Sequence, residues 1–192
     1  MSAHSGHVRK PAHCRESLRM FRTKGSASEA NMLIEHIDGL YSYALALSRN
    51  RVDAEDLVQE TYVRAIPAVR RLRKESNVKS WMFTILRNIW LNQLRQRRVQ
   101  IPGTDIDQIL PTFRAPNAKD PQTLLLTSVD QDQVRQAILR LPVESREVIL
   151  LREFEDLSYQ EIAGVLKCPI GTVMSRLHYA KKVLKEKLKS YL

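Results

Sequence analysis

Residues 99–126 carry Pro102, Gly103, Pro111, Pro116 and Pro121, and no other feature limits the fold of this chain as strongly. Proline removes a backbone N–H and its ring clashes one turn back, so no long helix crosses the stretch. Irregular segments of roughly 25 residues are rare inside one compact domain. A domain boundary is therefore expected here, with residues 99–126 as a flexible linker between two small units.

On both sides of the linker, apolar residues recur at three and four positions, the period of one helix face. Leu33, Ile37, Leu40, Ala44 and Leu47 form the first stripe, and Asn50-Arg51 breaks it. Asp53 is the expected N-cap of a second helix, with Glu55 and Asp56 in a first turn where the helix dipole favours acids. Leu57, Val58, Thr61, Tyr62 and Ala65 are its buried stripe, and Pro67 should kink or end it. A third helix is expected from near Asn77, with Val78, Trp81, Met82, Ile85, Ile89 and Trp90 on its apolar side, running into Gln96-Arg97-Arg98.

Beyond the linker, Val134, Ile138 and Leu141 mark one helix. Pro142 opens the next, which runs through Val148, Ile149 and Leu151 to Phe154. Ser158-Tyr-Gln-Glu161 is a capping box for a short helix from Tyr159 to Leu166. Lys167-Cys168 makes a turn, and Pro169 suits the first position of a last helix carrying Val173, Leu177, Ala180, Leu184 and Leu188 on one side. No strand alternation and no internal repeat interrupts this pattern. The expected fold is all-α: a mobile tail (1–28), a helical domain (29–98), the linker (99–126) and a second helical domain (127–192).

A capped short helix, a tight turn and a longer amphipathic helix make a helix-turn-helix, whose second helix reads the major groove when polar and basic side chains lie near its N-terminus. Its outward face offers Thr172, Ser175, Arg176, His178, Tyr179, Lys181 and Lys182. Charge supports a nucleic-acid partner: 31 Lys and Arg stand against 21 Asp and Glu, a net +10. Within the first domain the charge is split. Asp53, Glu55, Asp56 and Glu60 form an acidic run, whereas residues 70–98 hold nine bases and one acid, Glu75. Basic side chains neutralise phosphates, but choosing a sequence needs contacts to bases. Asn88 and Asn92 lie one turn apart on one face, and their amides both donate and accept. Trp81 and Trp90 are candidates for stacking on unpaired bases or for the core; the spacing of Trp81 favours the core, and that of Trp90 leaves both open.

Other function classes lack a signature. No apolar run approaches the roughly 18 residues of a membrane span, and residues 1–30 contain no apolar signal core, so a cytoplasmic protein without membrane insertion is expected. Cys14 and Cys168 belong to no CxxC pair, and the spacing of His4, His7, His13 and Cys14 is too irregular for a metal site. There is no glycine-rich phosphate loop and no HExxH, so neither an enzyme nor a cofactor or metal is expected.

Several long motifs, in order, resemble one family. Asp53-Ala-Glu-Asp-Leu-Val-Gln-Glu-Thr-Tyr-Val-Arg-Ala65 is similar to the polymerase-binding helix of the extracytoplasmic-function (ECF) sigma factors, a group of the sigma-70 family. Lys79-Ser-Trp-Met-Phe-Thr-Ile-Leu-Arg-Asn88 resembles their next block. The stretches 141–153, 157–163 and 168–177 are similar to their C-terminal domain. The resemblance implies that Asp56, Leu57, Gln59, Glu60, Val63 and Arg64 meet core RNA polymerase. It implies that Asn88, with Asn92, Arg95, Arg97 and Arg98, faces the −10 promoter element. Thr172, Ser175, Arg176, His178, Tyr179, Lys181 and Lys182 would face the −35 element. It further implies control by an anti-sigma factor. Met174 stands where many relatives carry Lys or Arg, and Tyr179 replaces a frequent Arg. The competing expectation is a sigma-like mimic that sequesters an anti-sigma factor without binding DNA. Such a mimic should lose its basic surfaces, and this chain keeps them.

Overall fold

The computed structural model describes residues 32–73, 76–100 and 129–189, with side chains to 97 in the second stretch and for 133–188 in the third. The expected tail, most of the expected linker and the His4, His7, His13 and Cys14 group lie outside these residues. Seven α-helices are described: α1 (Ile37–Ser48), α2 (Arg51–Ala68), α3 (Val78–Gln100), α4 (Val129–Leu139), α5 (Val143–Glu153), α6 (Tyr159–Leu166) and α7 (Ile170–Lys189). A helical turn at 32–34 precedes α1, and a 3-10 turn, Val69–Arg71, extends α2. No strand occurs among the described residues.

Helix ends follow local chemistry, with one correction. The cap of α2 is Asn50 rather than Asp53: its Oδ1 accepts from Val52 N (2.8 Å) and Asp53 N (3.4 Å). Asp53 sits in the first turn, where its charge still meets the dipole. Pro67 lies inside α2, which stops one residue later at Ala68. The capping box of α6 is complete: Ser158 N donates to Glu161 Oε2 (2.7 Å), and Glu161 N donates to Ser158 Oγ (3.3 Å). Lys167 then ends α6 in the left-handed region (φ 52°).

The Ser158 hydroxyl, more than any other group, holds the Glu161 carboxyl below its ordinary value of 4.5. A carboxyl so lowered contributes stability that is present above 4.5 and lost as pH falls through its folded value. Ser158→Ala should cost about 1 kcal/mol at neutral pH. The difference should shrink in acid, as read from urea midpoints across pH.

Helices α1, α2 and α3 pack on one another, and α7 packs on α4, α5 and α6. The first group encloses Leu40, Tyr43, Leu47, Leu57, Met82, Phe83 and Leu86, each at most 1% exposed. Phe83 meets the Tyr43 ring edge to face at 5.3 Å. The second group encloses Val148, Leu151, Ile162, Val173 and Ala180, all fully buried. Trp90 is only 6% exposed and belongs to the first core, while Trp81 is half-buried against it. The option of stacking Trp90 on a base is closed in this arrangement.

The two groups are not separate beads. Helix α3 lies against α6, α1 lies against α5, and their buried residues form one continuous cluster. At the centre is Glu147, 1% exposed: its Oε1 accepts from Tyr43 Oη (2.8 Å) and Arg87 Nε (2.6 Å). Arg146, also 1% exposed, donates to three backbone carbonyls, Ala46 O (2.8 Å), Leu139 O (2.9 Å) and Leu141 O (2.8 Å). Arg49 donates to the same Leu139 carbonyl at 2.9 Å. At the rim, Lys79 Nζ pairs with Glu155 (2.9 Å), and Asn77 donates to Glu161. Glu155 lies so close to Gly39 that a Cβ there would overlap its carboxylate.

Candidate nucleic-acid interface

Helix α7 is oriented by its inward line Val173, Leu177 and Ala180, all buried. Its other faces are thereby turned outward. Ser175, His178, Tyr179, Lys181 and Lys182 are exposed, while Thr172 and Arg176 are half-buried. The seven residues expected to face DNA thus lie along one side of one helix, opposite its core. Among the described residues Lys181 makes one ion pair, with Glu153 of α5 at 2.8 Å. Both partners are largely exposed, so the pair is worth well under about 1 kcal/mol and yields readily to a phosphate. Arg176 makes no ion pair with the described residues.

On α3, Asn88 is half-buried and Asn92 exposed, and Asn92 Oδ1 accepts from Arg95 Nη1 at 3.0 Å. Arg97 reaches across to Asp53 of α2 at 3.3 Å, tying the basic helix to the acidic one. The side chain of Arg98 lies outside the described residues. Not all of the basic charge read from the sequence is available to a ligand: Arg87 and Lys79 are held by Glu147 and Glu155 across the unit boundary. The hydrogen bond and charge of Glu147 raise the Arg87 pKa despite a larger opposing effect of burial. These clamp residues escaped the sequence reading because their partners lie 60 to 104 positions away. The one local signal was Arg146-Glu147, two charges set inside an apolar run.

On α2, Asp56 and Gln59 are exposed, Val63 is 52% exposed, and Glu60 pairs with Arg64 one turn on. These five share the outward side of the helix. Leu57 does not: it is 0% exposed. It supports that surface from beneath, and the expectation that it meets a partner is corrected, because residue 57 falls on the stripe that packs the core. Among the described residues no group of three His, Cys, Asp or Glu could hold a metal ion, and no helix is long and apolar enough to cross a membrane.

Comparison with known proteins accords with this layout. Residues 32–99 match the family model for Sigma-70 region 2, and residues 131–184 match that for Sigma-70, region 4. The chain is 32% identical over 152 residues to the ECF RNA polymerase sigma factor EcfG of Rhodopseudomonas palustris, covering 79% of this chain and 80% of that protein. It is 31% identical over 174 residues to the ECF RNA polymerase sigma-E factor of Escherichia coli (86% and 89% covered). Among solved structures, the sigma factor RpoE bound to the anti-sigma factor NepR from Bartonella quintana superposes with a TM-score of 0.67 at 32% identity, over 83% of this chain and 95% of that one. CnrH in complex with the cytosolic domain of CnrY shares the fold with a TM-score of 0.58 at 19% identity, over 92% and 95%.

Proposed function

The chain belongs to the ECF sigma factors of the sigma-70 family, and from that premise we propose which surfaces carry its two kinds of contact. It binds core RNA polymerase, directs it to specific promoters and is controlled by an anti-sigma factor. We read it as a non-enzymatic cytoplasmic subunit, working where the polymerase works. Asp56, Gln59, Glu60, Val63 and Arg64 dock on the polymerase, with Val63 as the apolar centre of a polar rim. Asn88, Asn92, Arg95, Arg97 and Arg98 serve the −10 element, and the outward face of α7 serves the −35 element. The observation that carries this assignment is the placement of an exposed acidic-polar surface on α2 apart from the exposed basic line on α7.

The packed arrangement of the two units is not the promoter-engaged one. Elements centred near −35 and −10 are about 25 base pairs apart, roughly 85 Å of B-DNA at 3.4 Å per step. The described helices pack into one body, and a body of that size is only about 40 Å across. Promoter engagement therefore separates the units and breaks the contacts at Glu147 and Arg146.

Charge reversal tests the docking assignment. Asp56→Lys with Glu60→Lys should leave helicity unchanged, since neither side chain is buried. It should weaken association with core polymerase at least ten-fold, about 1.4 kcal/mol. A folded double variant that captures core polymerase as well as the parent would remove α2 from the docking role.

A further inference from the structure

The fully exposed positions at the start of α7 are poor in side-chain hydrogen-bonding capacity. The exposed positions of its first two turns include Ile170, Gly171, Met174 and Ser175. Gly171 has no side chain, and a Cβ built there would meet nothing within 4 Å, so the backbone itself can approach a ligand closely. The Ser175 hydroxyl is turned back onto its own helix, donating to Thr172 O at 3.0 Å. Met174 is 50% exposed and Ile170 39% exposed, one turn apart. Beside the half-buried Thr172 and Arg176, the start of the recognition helix thus presents a flexible thioether and the sec-butyl chain of Ile170.

This apolar tip opens a basic helix. From Thr172 to Leu192 there are six Lys or Arg and a single acid, Glu186. Charge complementarity selects a polyanion over an apolar protein partner for the same face. Within the major groove, base edges offer donors, acceptors and one apolar group, the thymine 5-methyl. A methionine chain is adaptable enough to pack on it.

We propose that Met174 is a specificity-determining residue that reads thymine methyl groups in the −35 element, with Gly171 allowing the close approach. This deepens the assignment of α7 to the −35 element and rests on it. The contact is apolar, so it discriminates by the presence of a methyl group and not by hydrogen bonding. Cytosine and uracil, which lack the methyl, lose it.

The test uses the full chain assembled with core RNA polymerase and a promoter duplex selected by that same complex from a library randomised over −35. Each selected thymine is replaced singly by deoxyuridine, which removes the methyl and nothing else. At one or two positions the parent should lose affinity roughly 3–5-fold, the worth of one buried methyl group. Met174→Ala should lose a similar amount on the thymine duplex and become indifferent to the replacement. Met174→Lys should move the selected base at that position from thymine towards guanine. The proposal is overturned by a parent that binds the duplex yet ignores every thymine-to-uridine replacement. It is equally overturned by a Met174→Ala variant that keeps the methyl response. If randomising −35 leaves binding unchanged altogether, the assignment of α7 to that element fails first, and the proposal falls with it.

Discussion

Glu147→Ala should open the chain rather than simply soften it. The carboxylate is 1% exposed and receives Tyr43 Oη at 2.8 Å and Arg87 Nε at 2.6 Å, with Arg87 Nη2 at 3.4 Å. Removing it leaves a guanidinium and a phenol facing an apolar boundary with nothing to accept from them. Breaking one side of a buried pair costs about 3–5 kcal/mol, mostly the stranded charge. Water relieves that charge once α1 and α3 part from α5 and α6. Each half retains its own buried stripes, so helicity should persist while the chain expands. Solution scattering should report a larger radius, and hydrogen exchange should quicken at the α1–α5 and α3–α6 contacts. Glu147→Gln, which can still accept from Tyr43 but carries no charge for Arg87, should fall between. An alanine variant with parental dimensions and a parental urea midpoint would remove Glu147 from this role.

The same contact has an alkaline limit. Burial, followed by the charge of Glu147, pushes the Tyr43 hydroxyl well above its ordinary 10.0. A group whose folded value is raised contributes stability that is present below the unfolded value and lost as pH climbs through the folded one. Closure should therefore weaken above pH 10 in the parent. Tyr43→Phe should abolish that weakening, because it cannot ionise.

Arg146→Ala should be as costly as any single change at a charged position in the C-terminal unit. Arg146 has no carboxylate partner in its hydrogen bonds: it donates to the carbonyls of Ala46, Leu139 and Leu141. Ala46 lies in the last turn of α1, and Leu139 ends α4. Both carbonyls thus belong to helix C-termini, which lack intrahelical donors and carry partial negative charge. Burial, and then the neighbouring Arg49, lower the Arg146 pKa to about 10, so the charge is held there against its own desolvation. Truncation orphans the Ala46 and Leu141 carbonyls, leaves Leu139 O to Arg49 alone and opens a cavity, a loss of about 3–5 kcal/mol in unfolding free energy. Arg146→Lys should recover little of it, since one ammonium cannot span three carbonyls set out for a planar fork. A loss below about 1 kcal/mol for the alanine variant would mean that water or Arg49 replaces the fork.

How far the sequence reached depended on range. Helix α6 was legible to the residue, because Ser158 and Glu161 are three positions apart and satisfy each other. The start of α2 was missed by three residues because Asn50 and Asp53 are both able caps. Which one serves depends on how the chain leaves Arg49, a left-handed residue (φ 56°) that nothing local demands. Leu57 was carried to the polymerase surface by its place in a motif, although its own position on the apolar stripe pointed inward. Most of the candidate surface on α7 was readable, because a buried line at 173, 177 and 180 leaves only one side free.

The sequence by itself determined which stretches are helical, which face of each helix is apolar, and where acidic and basic surfaces lie. All of these follow from interactions within a few residues, where spacing along the chain is spacing in space. Only the tertiary structure decided that Arg87 and Lys79 are held as clamps in the packed arrangement, that Trp90 is core, and that Arg146 caps another unit's helix. The clamp and the cap depend on partners 60 to 104 residues away. A charged side chain in a sequence looks the same whether water, a phosphate or a buried carboxylate will meet it. Desolvation makes those fates different in energy, and desolvation exists only once the helices have packed.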